Sequence, residues 1–133
     1  MNYSFKLKIP SLPENIRIVE SFIDNAREKV QFSEDIYGNI MIAVTESVAN
    51  AITHGNQNNQ EKIVDLSLDV TEKEICCTVK DEGRGFDYNA LPDPTSPENI
   101  FKTGGRGIYL IQNLADEVKF VGNGSTILMK FFL

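Results

Sequence analysis

The chain is short of cysteine, of basic charge and of long apolar runs, and each shortage closes off a class of protein. Its two cysteines cannot build a disulfide framework. They are the neighbours Cys76 and Cys77 inside an apolar run, where a strand points them to opposite faces. Both read as reduced core residues, which suits a cytoplasmic protein. Nowhere do about 18 consecutive apolar residues occur to span a bilayer, and Met1 to Ile9 hold no apolar run of signal-peptide length. Thirteen basic side chains against nineteen acidic ones leave a formal charge of -6, the wrong sign for gripping phosphate backbones. Neither nucleic acid nor a membrane is an expected partner. What remains is ordinary for a folded domain: 133 residues, 41% hydrophobic and 24% charged. A chain of this length buries roughly 65–70% of its unfolded surface, so residues 1–133 are expected to form a single domain with its own core.

Tyr3, Phe5, Leu7 and Ile9 alternate with Ser4, Lys6 and Lys8, the period-2 pattern of a half-buried strand that ends at Pro10. From Pro13 the apolar positions Ile16, Val19, Phe22, Ile23, Ala26 and Val30 repeat at three and four, which predicts a helix to about Val30. Ser33-Glu34-Asp35 reads as a cap and acidic first turn, and a second, more apolar helix then runs from Ile36 to Thr53 until His54-Gly55-Asn56 stops it. Strands are expected at 63–70 and 75–80, a third helix from Gly107 to about Asp116, and strands at 117–121 and 125–132 around Gly122-Asn123-Gly124. Between them, residues 82–104 include Pro92, Pro94 and Pro97 and lack periodicity, forming a loop of about twenty residues, a length that is usually functional or disordered. Strands adjacent in sequence imply a mostly antiparallel, mixed sheet of about five strands with three helices on one face, an α+β sandwich of two layers.

Three clusters carry chemistry. On the second helix Ile40, Val44, Val48 and Ile52 form one stripe, centred about 180° from Glu46 and about 140° from Asn50. Glu46, Asn50 and His54 therefore make an i, i+4, i+8 polar row. An Asn oxygen beside a carboxylate can bind Mg²⁺ or steer a nucleophile, and the bland alternative is a solvated helix edge, with His54 complementing the helix dipole. Next, Asp81-Glu82-Gly83-Arg84-Gly85-Phe86 follows a strand directly: a carboxylate and two glycines let a planar ligand approach the backbone while Asp81 accepts from an exocyclic amine. A plain glycine turn would look similar. Finally, Lys102-Thr103-Gly104-Gly105-Arg106-Gly107 leads into the third helix, where glycine amides form an anion nest and Lys102 and Arg106 add positive charge; a flexible hinge is the alternative. The Walker spacing Gly-x-x-x-x-Gly-Lys-Ser/Thr does not occur, and Gly105-Arg106-Gly107 lacks the preceding strand and the third glycine of a dinucleotide fingerprint.

Taken in order, Glu46-Ser-Val-Ala-Asn50-Ala-Ile-Thr-His54-Gly55-Asn56, Asp81-x-Gly83-x-Gly85 and Gly104-Gly105-Arg106-Gly107 resemble the GHKL ATPase superfamily and its ATP-binding Bergerat fold. Within it, the whole chain looks most like the stand-alone anti-sigma factor kinases, which phosphorylate a serine or threonine of a STAS-domain antagonist. The resemblance implies ATP and Mg²⁺, with Glu46 as catalytic base and Asn50 as metal ligand. It implies Asp81 as the adenine-binding acid, Gly83, Gly85 and Phe86 as the adenine-side turn, and His54 as a pocket residue. Lys102, Thr103, Gly104, Gly105, Arg106, Gly107 and Ile108 would form the phosphate side, with 86–103 as a short lid. Ser125, in the closing Gly-x-Gly-Ser-Thr, would join the adenine water network. A sigma factor is a further implied partner, as is a second copy of the chain docked through the edge of the first strand. The other function compatible with these residues is a catalytically silent ATP-binding module that acts by nucleotide-dependent protein binding.

Overall fold

In the computed structural model, residues 2–83 and 105–133 are described. Strand β1 (Tyr3–Pro10) leads through a 3-10 turn (Pro13–Asn15) into helix α1 (Ile16–Lys29), and α2 (Glu34–Asn50) follows, extended by one wide π-turn over Ala51–Gly55. Then come β2 (Ile63–Val70), β3 (Glu74–Lys80), α3 (Gly105–Leu114), β4 (Glu117–Val121), a 3-10 turn (Gly122–Gly124) and β5 (Thr126–Phe132). The strands lie in the order β1-β2-β3-β5-β4, and all four pairings are antiparallel. The result is the open α+β sandwich expected, with no parallel pair among the described strands.

Period-2 patterning assigns the two sheet faces. Val64, Leu66, Leu68 and Val70 on β2, Ile75, Cys77 and Val79 on β3, and Ile127, Met129 and Phe131 on β5 all point into one buried cluster. Burying one such side chain contributes about 1.5–3 kcal/mol, so this layer and the helices on it dominate the stability. Val19, Ile23 and Ala26 of α1 and Ile40, Val44 and Val48 of α2 supply the helix side, and the predicted stripe Ile40, Val44, Val48, Ile52 is at most 1% exposed. The outer face is polar and carries the cross-strand pair Lys8–Asp65 at 3.7 Å. Cys76 and Cys77 are both free, and only Cys77 is buried. Burial holds its thiol well above the ordinary value.

Local chemistry sets the element ends. Pro13 opens a 3-10 turn, so the α-helical bonds of α1 begin at Ile16, where the apolar repeat begins and three residues after the Pro13 start signal. The Ser33 hydroxyl accepts from the Ile36 amide, and Glu34 and Asp35 complement the helix dipole at the start of α2. Arg27 stacks 4.3 Å from the ring centre of Tyr37, whose hydroxyl donates to Asp24, clamping α1 to α2. Helix α3 starts two residues before the predicted Gly107 and stops at Leu114 instead of Asp116. Asp116 is drawn out of the helix because its amide donates to Lys130 O at 2.8 Å and its carboxylate accepts from the Phe132 amide at 2.7 Å.

Candidate functional site

Glu46 and Asn50 lie in the C-terminal half of α2, and Asp81 comes against Gly55 just beyond it. Glu46 and Asn50 stand one turn apart, away from the buried stripe, and the first turn of α3 lies directly over them. A Cβ added at Gly107 would sit 2.8 Å from Asn50 Nδ2 and 3.2 Å from Glu46 Oε2, so any larger residue would push the Asn50 amide out of this close approach. The first four residues of α3, Gly105 to Ile108, carry the amides that no helical carbonyl can accept from. Ile108 itself is 6% exposed and packs in the core, which leaves its side chain to anchor the helix.

Asn50 Nδ2 is the one buried side-chain nitrogen or oxygen without a partner among the described residues. An orphaned buried amide costs about 1–3 kcal/mol, and such groups in native proteins mark places where a ligand or water belongs. The two ends of an Asn amide exchange by a simple flip, so this position offers either an N–H donor or a hard oxygen ligand. With the Glu46 carboxylate beside it, the donor set suits a hard cation such as Mg²⁺. Among the described residues no group of three or more His, Cys, Asp or Glu gathers, so such an ion would complete its shell with phosphate oxygens and water.

Beyond Asn50 the helix widens. The Asn56 amide reaches back to Ala51 O at 2.7 Å, and the wide turn brings the Gly55 backbone against Asp81. A Cβ at Gly55 would lie 2.3 Å from Asp81 Oδ2, and one at Gly83 would lie 2.2 Å from Gly55 O. Asp81 follows β3 immediately, its amide donating to Ser125 O at 2.9 Å, and its Oδ1 accepts from the Gly83 amide at 2.7 Å. Burial raises its carboxyl above the ordinary 3.8, opposed by the Gly83 hydrogen bond and the charge of Lys62. Asn56, read in the sequence as part of a helix stop and as the last residue of the Glu46-to-Asn56 motif with no role of its own, is fully buried and ties this loop to two other segments. From Glu46 to Gly55 is nine residues, roughly 13 Å of helix, enough to lay a nucleotide from phosphates to base.

Other expected residues stand differently. His54 lies within the π-turn, and its side chain is exposed. The Ser125 hydroxyl donates back to Gly122 O at 2.9 Å, so its proton is engaged inside its own turn while its backbone carbonyl holds Asp81. Gly85, Phe86, Lys102, Thr103, Gly104 and the lid 86–103 lie outside the described residues. No helix among the described residues is long and apolar enough to cross a membrane.

A helix carrying a carboxylate and an amide lies beneath the first turn of another helix, with an Asp-x-Gly turn at the far end, an arrangement with room and donors for a phosphate at one end and a planar group at the other. A family profile described as the histidine kinase-like ATPase domain matches residues 9–131, and the chain belongs to that family, in its branch of GHKL-type stand-alone serine/threonine kinases. Among curated relatives, the serine-protein kinase RsbW of Bacillus velezensis is 30% identical over 96% of this chain and 84% of its own length. The RsbW proteins of Staphylococcus aureus, at 28% over 96% and 86%, and Oceanobacillus iheyensis, at 24% over 96% and 85%, are similarly matched.

Proposed function

We propose that residues 1–133 act as a single-domain, ATP-dependent serine/threonine protein kinase and anti-sigma factor in the cytoplasm. Its substrate in this reading is a STAS-domain anti-anti-sigma protein, its alternative partner is a sigma factor, and it works as a homodimer. The observation that carries the reading is the Glu46/Asn50 pair under Gly107, with a buried amide nitrogen left unpartnered beside a carboxylate. Such a pair would offer an incoming hydroxyl a base and a phosphate-bound cation an oxygen ligand, which supports phosphoryl transfer to a protein.

In this reading Glu46 accepts the proton of the attacking seryl or threonyl hydroxyl as its oxygen bonds the γ-phosphorus and the bond to the ADP oxygen breaks. Asn50 would hold Mg²⁺, which supplies charge neutralisation between the phosphate oxygens. The amides opening α3, together with Lys102 and Arg106, oppose the remaining negative charge. Asp81 accepts from the adenine amine, and Gly83, Gly85 and Phe86 complete the base side. The RsbW relatives, named serine-protein kinases and matched along nearly the whole chain, support the choice of a protein hydroxyl as acceptor.

Incubation with γ-labelled ATP and a STAS-domain protein is the test, and label on a serine or threonine of that protein is the expected result. ATP binding and partner binding without any label would replace the kinase by a nucleotide-gated binding module.

A further inference from the structure

We infer that Asn56 is the positioning residue that sets where the Asp81 carboxylate stands, and thereby the selectivity for the nucleotide base. The inference rests on Asp81 reading the exocyclic amine of adenine. Three successive amides at the end of β3 each have a fixed acceptor. The Asp81 amide donates to Ser125 O at 2.9 Å, the Glu82 amide to Asn56 Oδ1 at 2.8 Å, and the Gly83 amide to Asp81 Oδ1 at 2.7 Å. The first acceptor is the neighbouring strand turn and the third is Asp81 itself. Only the middle one comes from a side chain outside the loop.

That side chain is held on its other end as well. Asn56 Nδ2 donates to Ser11 Oγ at 2.8 Å and to Ile63 O at 3.2 Å, and the Ser11 hydroxyl passes its own proton to Lys62 O at 2.7 Å. Both Asn56 and Ser11 are 0% exposed, so water cannot replace these bonds. Glu82 closes a second tie from the same loop, its carboxylate accepting from the Ile63 amide at 2.5 Å. One buried amide therefore joins the end of β1, the start of β2 and the residue after Asp81, one position beyond the glycine on which Asp81 lies. Removing it strands the Glu82 amide and frees the loop to move its carboxylate away from the base.

The test compares ATP with ITP, which carries a keto oxygen in place of the amine that Asp81 would accept from. A site built around that hydrogen bond discriminates strongly against the analogue. In Asn56→Ala the ratio of ATP to ITP affinity should fall about tenfold while the affinity for inorganic tripolyphosphate stays the same, a split that general loosening of the fold would not give. A folded Asn56→Ala protein that keeps the wild-type ratio overturns the inference. Should Asn56→Ala fail to fold, Ser11→Ala removes the hydroxyl that holds Asn56 Nδ2 and should lower the ratio about threefold; an unchanged ratio there overturns it equally. Asp81→Asn separates the two claims. If it leaves the ratio untouched, the base-reading role of Asp81 is wrong and the inference falls with it; if it collapses the ratio while the other variants do not, only the role of Asn56 fails.

Discussion

The two ends of the site differ in how much of their hydrogen bonding is finished inside the protein. At the Asp81 end the amides of residues 81, 82 and 83 all have partners, and Asn56 and Ser11 are bonded and sealed from water. At the Glu46 end the buried Asn50 Nδ2 has none among the described residues, and the opening amides of α3 lack helical acceptors. A finished end can hold one shape and select a planar ligand against it. An unfinished end stores unsatisfied donors for charges that arrive with the ligand, and such groups stabilise a phosphate more than they stabilise the fold.

If that division is real, the largest effect belongs to the unfinished end. Glu46→Ala should lower phosphoryl transfer about 10²- to 10⁴-fold, measured as initial rate on the acceptor protein, with ATP affinity within about twofold of wild type. Loss of binding in parallel with rate would assign Glu46 to holding the nucleotide rather than to the chemistry. Next in size, Gly107→Ala puts a methyl where Asn50 Nδ2 lies 2.8 Å away, so Asn50 must shift. ATP affinity should drop roughly tenfold, with adenosine affinity unchanged, as read by calorimetric titration of both ligands. An equal loss for adenosine would mean that the two ends move as one body.

The smallest effect sharpens the finished end. Because burial raises the Asp81 carboxyl above 3.8, the folded chain keeps this proton to higher pH than the unfolded chain does. The stability associated with the neutral acid is full below the unfolded value and is lost as pH rises through the folded one. Asp81→Asn removes that loss while still accepting from the Gly83 amide. Its melting temperature at pH 7 should exceed wild type by roughly one to three degrees, and the difference should vanish near about pH 3, where both side chains are neutral.

How far the sequence could be read depends on whether a feature is periodic or assembled. The stripe Ile40, Val44, Val48, Ile52, the strand faces and the alternation of Cys76 and Cys77 are periodic, and each lies as its spacing predicts. Glu46 and Asn50 follow from the same wheel. The wide turn beyond Asn50 has no such signal, since the wheel assumes 3.6 residues per turn and the Asn56-to-Ala51 bond spans five residues. Gly55 looks like a helix stop because its other task, making room for Asp81, needs two elements that only the fold brings together. Asn56 joins residues 45, 26 and 7 positions away, and no local pattern encodes such a meeting. The same holds for Asp116, whose bonds to β5 end α3 at Leu114, two residues before the stop expected from the sequence.

The strand order has a further consequence. β3 is the middle strand, hydrogen-bonded to β2 along one side and to β5 along the other. Amides there can exchange with solvent only through the most costly openings of the sheet, unlike those on the edge strands β1 and β4. Asp81 leaves the end of that strand with its own amide bonded to Ser125 O. The carboxylate is thus fixed to the part of the molecule that fluctuates least, and breathing of the edges can proceed without blurring the boundary it presents to a ligand.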